Sequence, residues 1–304
     1  MAGLAELCGV ALVSTFWECY LVKLFFLDID GTIAMPGGDP TPALRRSIAL
    51  LRAQGDKVFL CTGRSTGFVP PAVQALELDG GVYSAGGLVL AGKEEIFRCF
   101  MPPKTLEAVR SVLDQVGACY TLECEKESYR AGKDLMPMLE ALKTEQMHSE
   151  LQRLISMNNR KLPAEQYGGE PVFKVSFILS SEEQAQRLRQ LQPENTDLVF
   201  FDNFACSGMI FFGEISDTQN NKGMAMLRLC GYYGATAADC VAFGDSMNDA
   251  AVLKAAGEGW AMGNSSPKVK AIADKVCGNC AEDGLAKALM TYVKEPLCGG
   301  ATEA

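Results

Sequence analysis

The sequence predicts an α/β fold: a parallel sheet core with a second, smaller α/β module inserted into it. Three apolar runs point to the sheet, Leu21 to Leu27, Lys57 to Cys61 and Cys240 to Phe243, each ending abruptly in a small polar cluster. Unbroken apolar runs are what strands covered on both faces of a parallel sheet require. Helical patterning after each cluster is the second observation. Pro42 to Gln54 carries Leu44, Ile48 and Leu51 on one stripe, Pro71 to Leu78 follows the second cluster, and Ala250 to Ala256 follows the third. Strands alternating with helices imply right-handed crossovers. Spacing is the third observation. Thr32 to Thr62 leaves room for a single helix, whereas Arg64 to Lys222 spans far more chain than the sheet can use.

Within that insertion, strands are expected near Ala118 to Glu123, Pro171 to Leu179, Asp197 to Phe201 and Met209 to Ile215. Helices are expected over Leu135 to Ser156, with Leu135, Leu139, Leu142, Leu151 and Leu154 on one side, and over Glu182 to Leu191. The expected division is an N-terminal extension (1–20), a core (21–86 and 216–295), an inserted module (87–215) and a C-terminal tail (296–304). Leu7 to Trp17 is apolar, yet no basic segment precedes it and Glu18 interrupts it short of the ~20 residues that cross a bilayer. An extension outside the core is expected there rather than an export signal.

Composition narrows the function classes. The 304 residues carry 28 Lys+Arg against 37 Asp+Glu, a net charge of −9, with one histidine, His148. A polyanion such as nucleic acid would meet net repulsion. Hydrophobic content of 48% with 21% charged residues describes a packed, soluble protein with no membrane-embedded body. The 12 cysteines are scattered, often inside apolar runs, and read as reduced thiols in a cytoplasm. Cys277 and Cys280 have zinc-ligand spacing, but no second pair accompanies them.

In open parallel sheets ligands sit beyond the carboxyl ends of the strands. All three polar clusters fall there: Asp28-Ile29-Asp30-Gly31-Thr32, Thr62-Gly63-Arg64 and Gly244-Asp245-Ser246-Met247-Asn248-Asp249. Taken singly, a strand-ending aspartate is usually a turn or helix cap; three clusters in this order, each after an apolar strand, point to one site. Asp28 and Asp30 alternate at a strand tip, so both carboxylates can face the same space while Gly31 lets the backbone turn. A carboxylate is ionised at neutral pH and can attack phosphorus without an activating base, and its neighbour can shuttle the proton. Asp28 is the expected nucleophile and Asp30 the expected acid/base.

Carboxylates facing a phosphate demand cations, and an all-oxygen ligand set suits Mg²⁺. Asp28, the backbone carbonyl of Asp30 and Asp245 are the expected direct ligands, with Asp249 acting through water or through the ligands it touches. Thr62, by its hydroxyl, and Gly63, by an unobstructed N–H, are expected to hold the phosphate. Lys222 alone would read as a surface lysine; its place before a helix leading to the third cluster makes it the expected fixed cation, with Asn248 orienting it or bonding the phosphate. Arg64 is expected to be an ion-pair partner rather than a substrate ligand.

These residues resemble the haloacid dehalogenase superfamily, and more narrowly its Cof-like phosphatase branch. Asp28 to Thr32 is similar to the first motif, Thr62-Gly63-Arg64 to the second, Asn221-Lys222-Gly223 to the third and Gly244 to Asp249 to the fourth; Ala261 to Asn264, Val269-Lys270, Ala273-Asp274 and Asp283-Gly284 match the branch's usual ending. The resemblance covers Lys23 to about Val293. It implies a Rossmann-like core, a mobile α/β cap between the second and third motifs, and Mg²⁺-dependent hydrolysis of a small phosphorylated metabolite of the sugar phosphate, pyridoxal phosphate or flavin mononucleotide type. A phosphomutase using the same aspartyl-phosphate and a non-catalytic phosphate-binding protein are the rival readings. One departure is visible: Ala85-Gly86-Gly87 stands where the branch usually shows Asn-Gly-Ala, which predicts a lost polar contact at that corner.

Overall fold

The computed structural model describes residues 22–135, 137, 161–201 and 210–294. The expected N-terminal extension, the C-terminal tail and nearly all of the helix expected over Leu135 to Ser156 lie outside the described residues. The chain opens with β1 (Leu24–Leu27), α1 (Pro42–Ala53), β2 (Lys57–Cys61), α2 (Pro71–Gln74), β3 (Gly80–Tyr83), β4 (Leu88–Ala91) and β5 (Glu94–Arg98). It continues through α3 (Pro103–Val116), β6 (Cys119–Cys124), β7 (Ser128–Gly132), β8 (Leu162–Pro163), β9 (Val172–Leu179), α4 (Glu182–Leu191), β10 (Thr196–Phe200) and β11 (Phe211–Asp217). It closes with α5 (Lys222–Tyr232), β12 (Cys240–Gly244), α6 (Ala250–Ala255), β13 (Glu258–Ala261), α7 (Pro267–Lys270), β14 (Lys275–Val276) and α8 (Gly284–Met290).

The core is an eight-stranded sheet in the order β14-β13-β12-β1-β2-β3-β4-β5. It is parallel from β14 to β3, and the β4–β5 hairpin is added antiparallel. Side chains alternate across a strand, so Phe25 and Leu27 join Ile48, Leu60, Phe243 and Leu289 on one face, while Leu24 and Phe26 join Phe59, Ala242, Met226 and Leu229 on the other. Both faces are covered, which explains the unbroken apolar runs.

Two expectations need correction here. The core sheet does not stop before residue 87: β4 and β5 pair with β3 and with each other, so hydrogen-bonded core structure runs through Arg98. Hairpin strands short enough to be read as part of the insertion were captured by the free edge of β3, a tertiary pairing that local pattern does not encode. The helix expected over Pro71 to Leu78 is only the single turn of α2, because Glu77 turns to φ 51.

The second sheet has the order β10-β11-β9-β6-β7-β8 and is antiparallel except at β7–β8. One of its faces packs Leu122, Val175, Phe177 and Ile215 against Val109 and Leu113 of α3 and Leu188 of α4. The opposite face carries Thr121, Lys174, Ser176 and Glu214 together with Ile178 and Phe212. The two passages between the sheets meet where Asn220 Nδ2 donates to the Cys99 carbonyl (3.3 Å). Nearby, Ser84 and Ala85 adopt φ 50 and 57, and the Ser84 hydroxyl is buried with no hydrogen-bond partner.

Candidate active site

β1 sits between β12 and β2, with Leu27 level with Phe243 on one side and Leu60 on the other. The residues that follow these strands therefore emerge together: Asp28 after β1, Thr62 after β2, Asp245 after β12. Asp28, Asp245 and Asp249 are all buried, and one carboxylate oxygen from each lies within 4.8 Å of the others. Among the described residues this is the one cluster of three or more metal-capable side chains. Gly31 is dictated by the crowding: its φ is +81, and a Cβ there would stand 2.3 Å from Asp245 Oδ2.

Lys222 reaches this cluster from the first position of α5, whose cap is the Asn221 side chain accepting from the Met224 N–H. Its ammonium is fully buried and donates to Asp28 Oδ1 (2.8 Å) and Asp249 Oδ1 (2.6 Å). Burial works against that charge, but the two carboxylates hold its pKa well above the ordinary lysine value. Asp249 Oδ2 accepts the N–H groups of Asp245 and Ser246, both at 3.1 Å, which ties the loop after β12 into one turn. Burial, with the Asp249 charge adding to it, pushes the Asp28 carboxyl up to about 7 against the pull of Lys222. For Asp245, burial and the neighbouring carboxylates push it up to about 9. Raised acids next to one another mark a place where positive charge is wanted.

A model of the haloacid dehalogenase-like hydrolases matches residues 25–289, nearly the whole described chain. The chain belongs to the haloacid dehalogenase-like hydrolase family. It is 26% identical over 285 residues to an HMP-PP phosphatase of Klebsiella pneumoniae, covering 91% of this chain and 97% of that one. It is 26% identical over 283 residues to the pyridoxal phosphate phosphatase YbhA of Escherichia coli, covering 89% and 98%. A solved phosphatase of the superfamily from Bacteroides thetaiotaomicron superposes with a TM-score of 0.74 at 21% identity, covering 91% of this chain and 97% of that one, a likeness of fold. No helix among the described residues is long and apolar enough to cross a membrane.

Beyond the acidic cluster, Thr62 follows β2 and is buried, and its hydroxyl accepts the Arg64 N–H (3.2 Å). Gly63 lies against the inserted cap: a Cβ there would stand 3.1 Å from Lys174 Nζ, 3.6 Å from Asn248 Nδ2 and 3.7 Å from Glu214 Oε2. Asn248 thus faces Gly63, and its Oδ1 accepts from the Ser246 hydroxyl at 2.5 Å; Lys222 is oriented by Asp28 and Asp249 instead. Arg64 forks onto Asp30, Nε to Oδ2 at 2.8 Å and Nη2 to Oδ1 at 2.9 Å, and donates to the Phe68 carbonyl (2.9 Å). Its planar fork fixes the Asp30 carboxylate in a way that a lysine would not. Arg64→Leu releases the Asp30 carboxylate, and for a group in the acid/base role expected of Asp30 a displacement of ~1 Å lowers kcat by about 100-fold with little change in KM; steady-state kinetics on p-nitrophenyl phosphate checks it.

A cavity of about 400 Å³ opens above these residues, floored by Asp28, Asp30, Thr62, Gly63, Asp245 and Asn248 and roofed by the cap. Sequence reasoning missed its roof. Glu123, Lys174 and Glu214 line it from β6, β9 and β11, with Lys161 beside them. The available signal was a charge set inside a mostly apolar strand, Lys174 within Val172–Leu179 and Glu214 within Phe211–Asp217. Cys277 Sγ lies 3.5 Å from the Ala261 carbonyl, and Cys280 Sγ 3.3 Å from that of Thr32.

Proposed function

We propose that the chain is a phosphatase that hydrolyses small phosphomonoesters through an aspartyl-phosphate on Asp28. The observation that carries this reading is the setting of Asp28 itself, a buried carboxylate at the tip of β1, bonded to Lys222, grouped with Asp245 and Asp249, and open to the cavity under the cap. Similarity to relatives named as phosphatases of HMP-PP and of pyridoxal phosphate supports a small phosphorylated metabolite as the substrate. Free cysteines throughout the described residues support a reducing, cytoplasmic setting.

In this reading Asp28 attacks phosphorus as the ester P–O bond breaks, and Asp30 gives the leaving alkoxide its proton. Asp30 then takes a proton from water, whose oxygen attacks the acyl phosphate and frees Asp28 and inorganic phosphate. The Thr62 hydroxyl, the Gly63 N–H, Lys222 and Asn248 hold the phosphoryl oxygens, and the closed cap excludes bulk water. Three buried carboxylates against the one buried ammonium of Lys222 form a donor set that an oxygen-seeking divalent cation complements. Asp28, the Asp30 carbonyl and Asp245 would hold Mg²⁺, with Asp249 behind them. Bound there, the ion supplies charge neutralisation and polarises phosphoryl oxygens.

A panel of phosphorylated metabolites assayed for phosphate release tests the reading. Phosphate should appear with Mg²⁺, stop with chelator and return when Mg²⁺ is restored. Isomerised sugar phosphate in place of free phosphate would replace the reading with a mutase. Mg²⁺ at 100 times its Kd is also expected to raise the Tm by about 4 °C. That rise should be larger at pH 8.5 than at pH 6. Asp28 and Asp245 are pushed above the ~3.9 of an unfolded aspartate, to about 7 and about 9, so protons compete with the cation until the pH passes those values. Melting curves at the two pH values, with and without Mg²⁺, check the sign.

A further inference from the structure

The loop after β1 is gripped from a distant part of the chain. Asn264 lies in the loop after β13, two places from β1 in the sheet, and its side chain reaches the turn at Gly31. Nδ2 donates to the Gly31 carbonyl (2.9 Å), and Oδ1 accepts the Cys280 N–H (2.9 Å). A backbone N–H can only donate and a carbonyl can only accept, so the amide has one orientation here; aspartate, of the same shape, would satisfy the Cys280 N–H alone. The chain behind this arm is fixed as well. Gly263 donates its N–H to the Gly278 carbonyl (2.9 Å), and its own carbonyl accepts from Lys270 Nζ (2.7 Å).

The turn it grips carries the carbonyl of Asp30. That carbonyl and the Gly31 N–H belong to one planar peptide and point opposite ways. The N–H donates to the Ala34 carbonyl (2.8 Å), which aims the Asp30 carbonyl. Gly31 is the soft point, because its φ is +81 and a glycine's two dihedrals move more freely than those of any other residue. Asn264 holds the second peptide of the same glycine, so the units on both sides of its Cα are tied. The grip is applied beside the acidic cluster: a Cβ on Gly31 would stand 2.3 Å from Asp245 Oδ2 and 3.2 Å from Asn264 Nδ2. Carboxylates there have side-chain partners of their own, Lys222 on Asp28 and Arg64 on Asp30. A main-chain carbonyl can be aimed only through its peptides.

We propose that Asn264 is a positioning residue for the divalent cation, holding the Gly31 turn so that the Asp30 carbonyl keeps the direction the ion needs. This rests on the Mg²⁺ assignment made above. Mg²⁺ is small and demands near-ideal octahedral geometry, whereas Ca²⁺ accepts irregular ligand sets. A loosened turn therefore weakens Mg²⁺ binding more than Ca²⁺ binding.

Calorimetric titration of the full chain with Mg²⁺ and with Ca²⁺ tests this in the wild type, Asn264→Ala and Asn264→Asp. Asn264→Ala should raise the Mg²⁺ Kd by about tenfold or more, as loss of contacts that orient a ligand does, and the Ca²⁺ Kd by less. The ratio of the two constants then rises. Asn264→Asp keeps the shape and the acceptor for the Cys280 N–H but sets an oxygen against the Gly31 carbonyl. Its added charge draws either ion more strongly, so the same rise in the ratio is the expected result. A residue that merely stabilised the fold would lower the melting temperature and leave the ratio alone. An unchanged Mg²⁺ Kd in Asn264→Ala, or equal changes for the two ions in both variants, would overturn the inference while leaving the metal site in place. Should Asn264→Ala fail to show a cooperative melt, the ratio in Asn264→Asp decides. A wild type that binds no Mg²⁺ overturns the metal assignment and this inference with it.

Discussion

Asp28→Asn is expected to abolish phosphate release, lowering kcat by about 10⁴-fold or more, with the fold intact. Asparagine keeps the shape of the side chain and still offers an oxygen to the Lys222 ammonium, 2.8 Å from Asp28 Oδ1 in the native site. What it lacks is the electron pair of an anionic oxygen, and loss of a nucleophile has effects of that size. Stability should change little, because burial already disfavours the charged form and has pushed the Asp28 carboxyl up to about 7. Phosphate release measured beside a thermal melt separates the two quantities. Turnover above a few per cent of wild type would remove Asp28 from the role of nucleophile.

Lys222→Met carries the second large effect, and it falls on stability as well as turnover. The ammonium is wholly buried between Asp28 and Asp249 at 2.8 and 2.6 Å. Methionine fills similar space but leaves buried carboxylates without their cation, a change worth about 3 to 5 kcal/mol. The loss depends on pH in a definite direction. Asp28 and Asp245 have folded pKa values raised above the unfolded ~3.9, to about 7 and about 9, so ionising them costs folding free energy as pH climbs through that window. Removing Lys222 withdraws the group that opposes the Asp28 shift, so the variant should be least impaired near pH 5 and most impaired near pH 8.5. Urea unfolding at the two pH values reads the difference, and a constant deficit across them would contradict the assignment of Lys222 as counter-charge.

The polar clusters at the strand tips were legible because each is local. A buried parallel strand must be apolar along its length, so the point where polarity begins marks its carboxyl end; Leu27 before Asp28 and Phe243 before Gly244 are both visible in one dimension. Asp28, Thr62, Asp245 and Asp249 follow from that rule and from the order of the motifs. Lys222 was legible by position alone, ahead of a helix, and its burial between two carboxylates came from the coordinates.

The edge of the core was less legible. The β4–β5 hairpin is made of strands of four and five residues, and only its hydrogen bonds to β3 assign it to the larger sheet. The roof was the least legible. Glu123, Lys174 and Glu214 lie on three strands distant in sequence and become neighbours through antiparallel register. A shift of one residue in any of those strands would have turned its charge toward the apolar face.

Read by itself, the sequence determined the α/β class, the insertion after the second motif and the acids gathered at the strand tips, since each depends on periodicity and order along the chain. Only the tertiary structure decided where the core sheet ends, that Arg64 clamps Asp30, and that Lys174 and Glu214 of the cap meet Gly63. Those facts depend on distances between segments far apart in the chain, which the packing of the two sheets sets and no local pattern records.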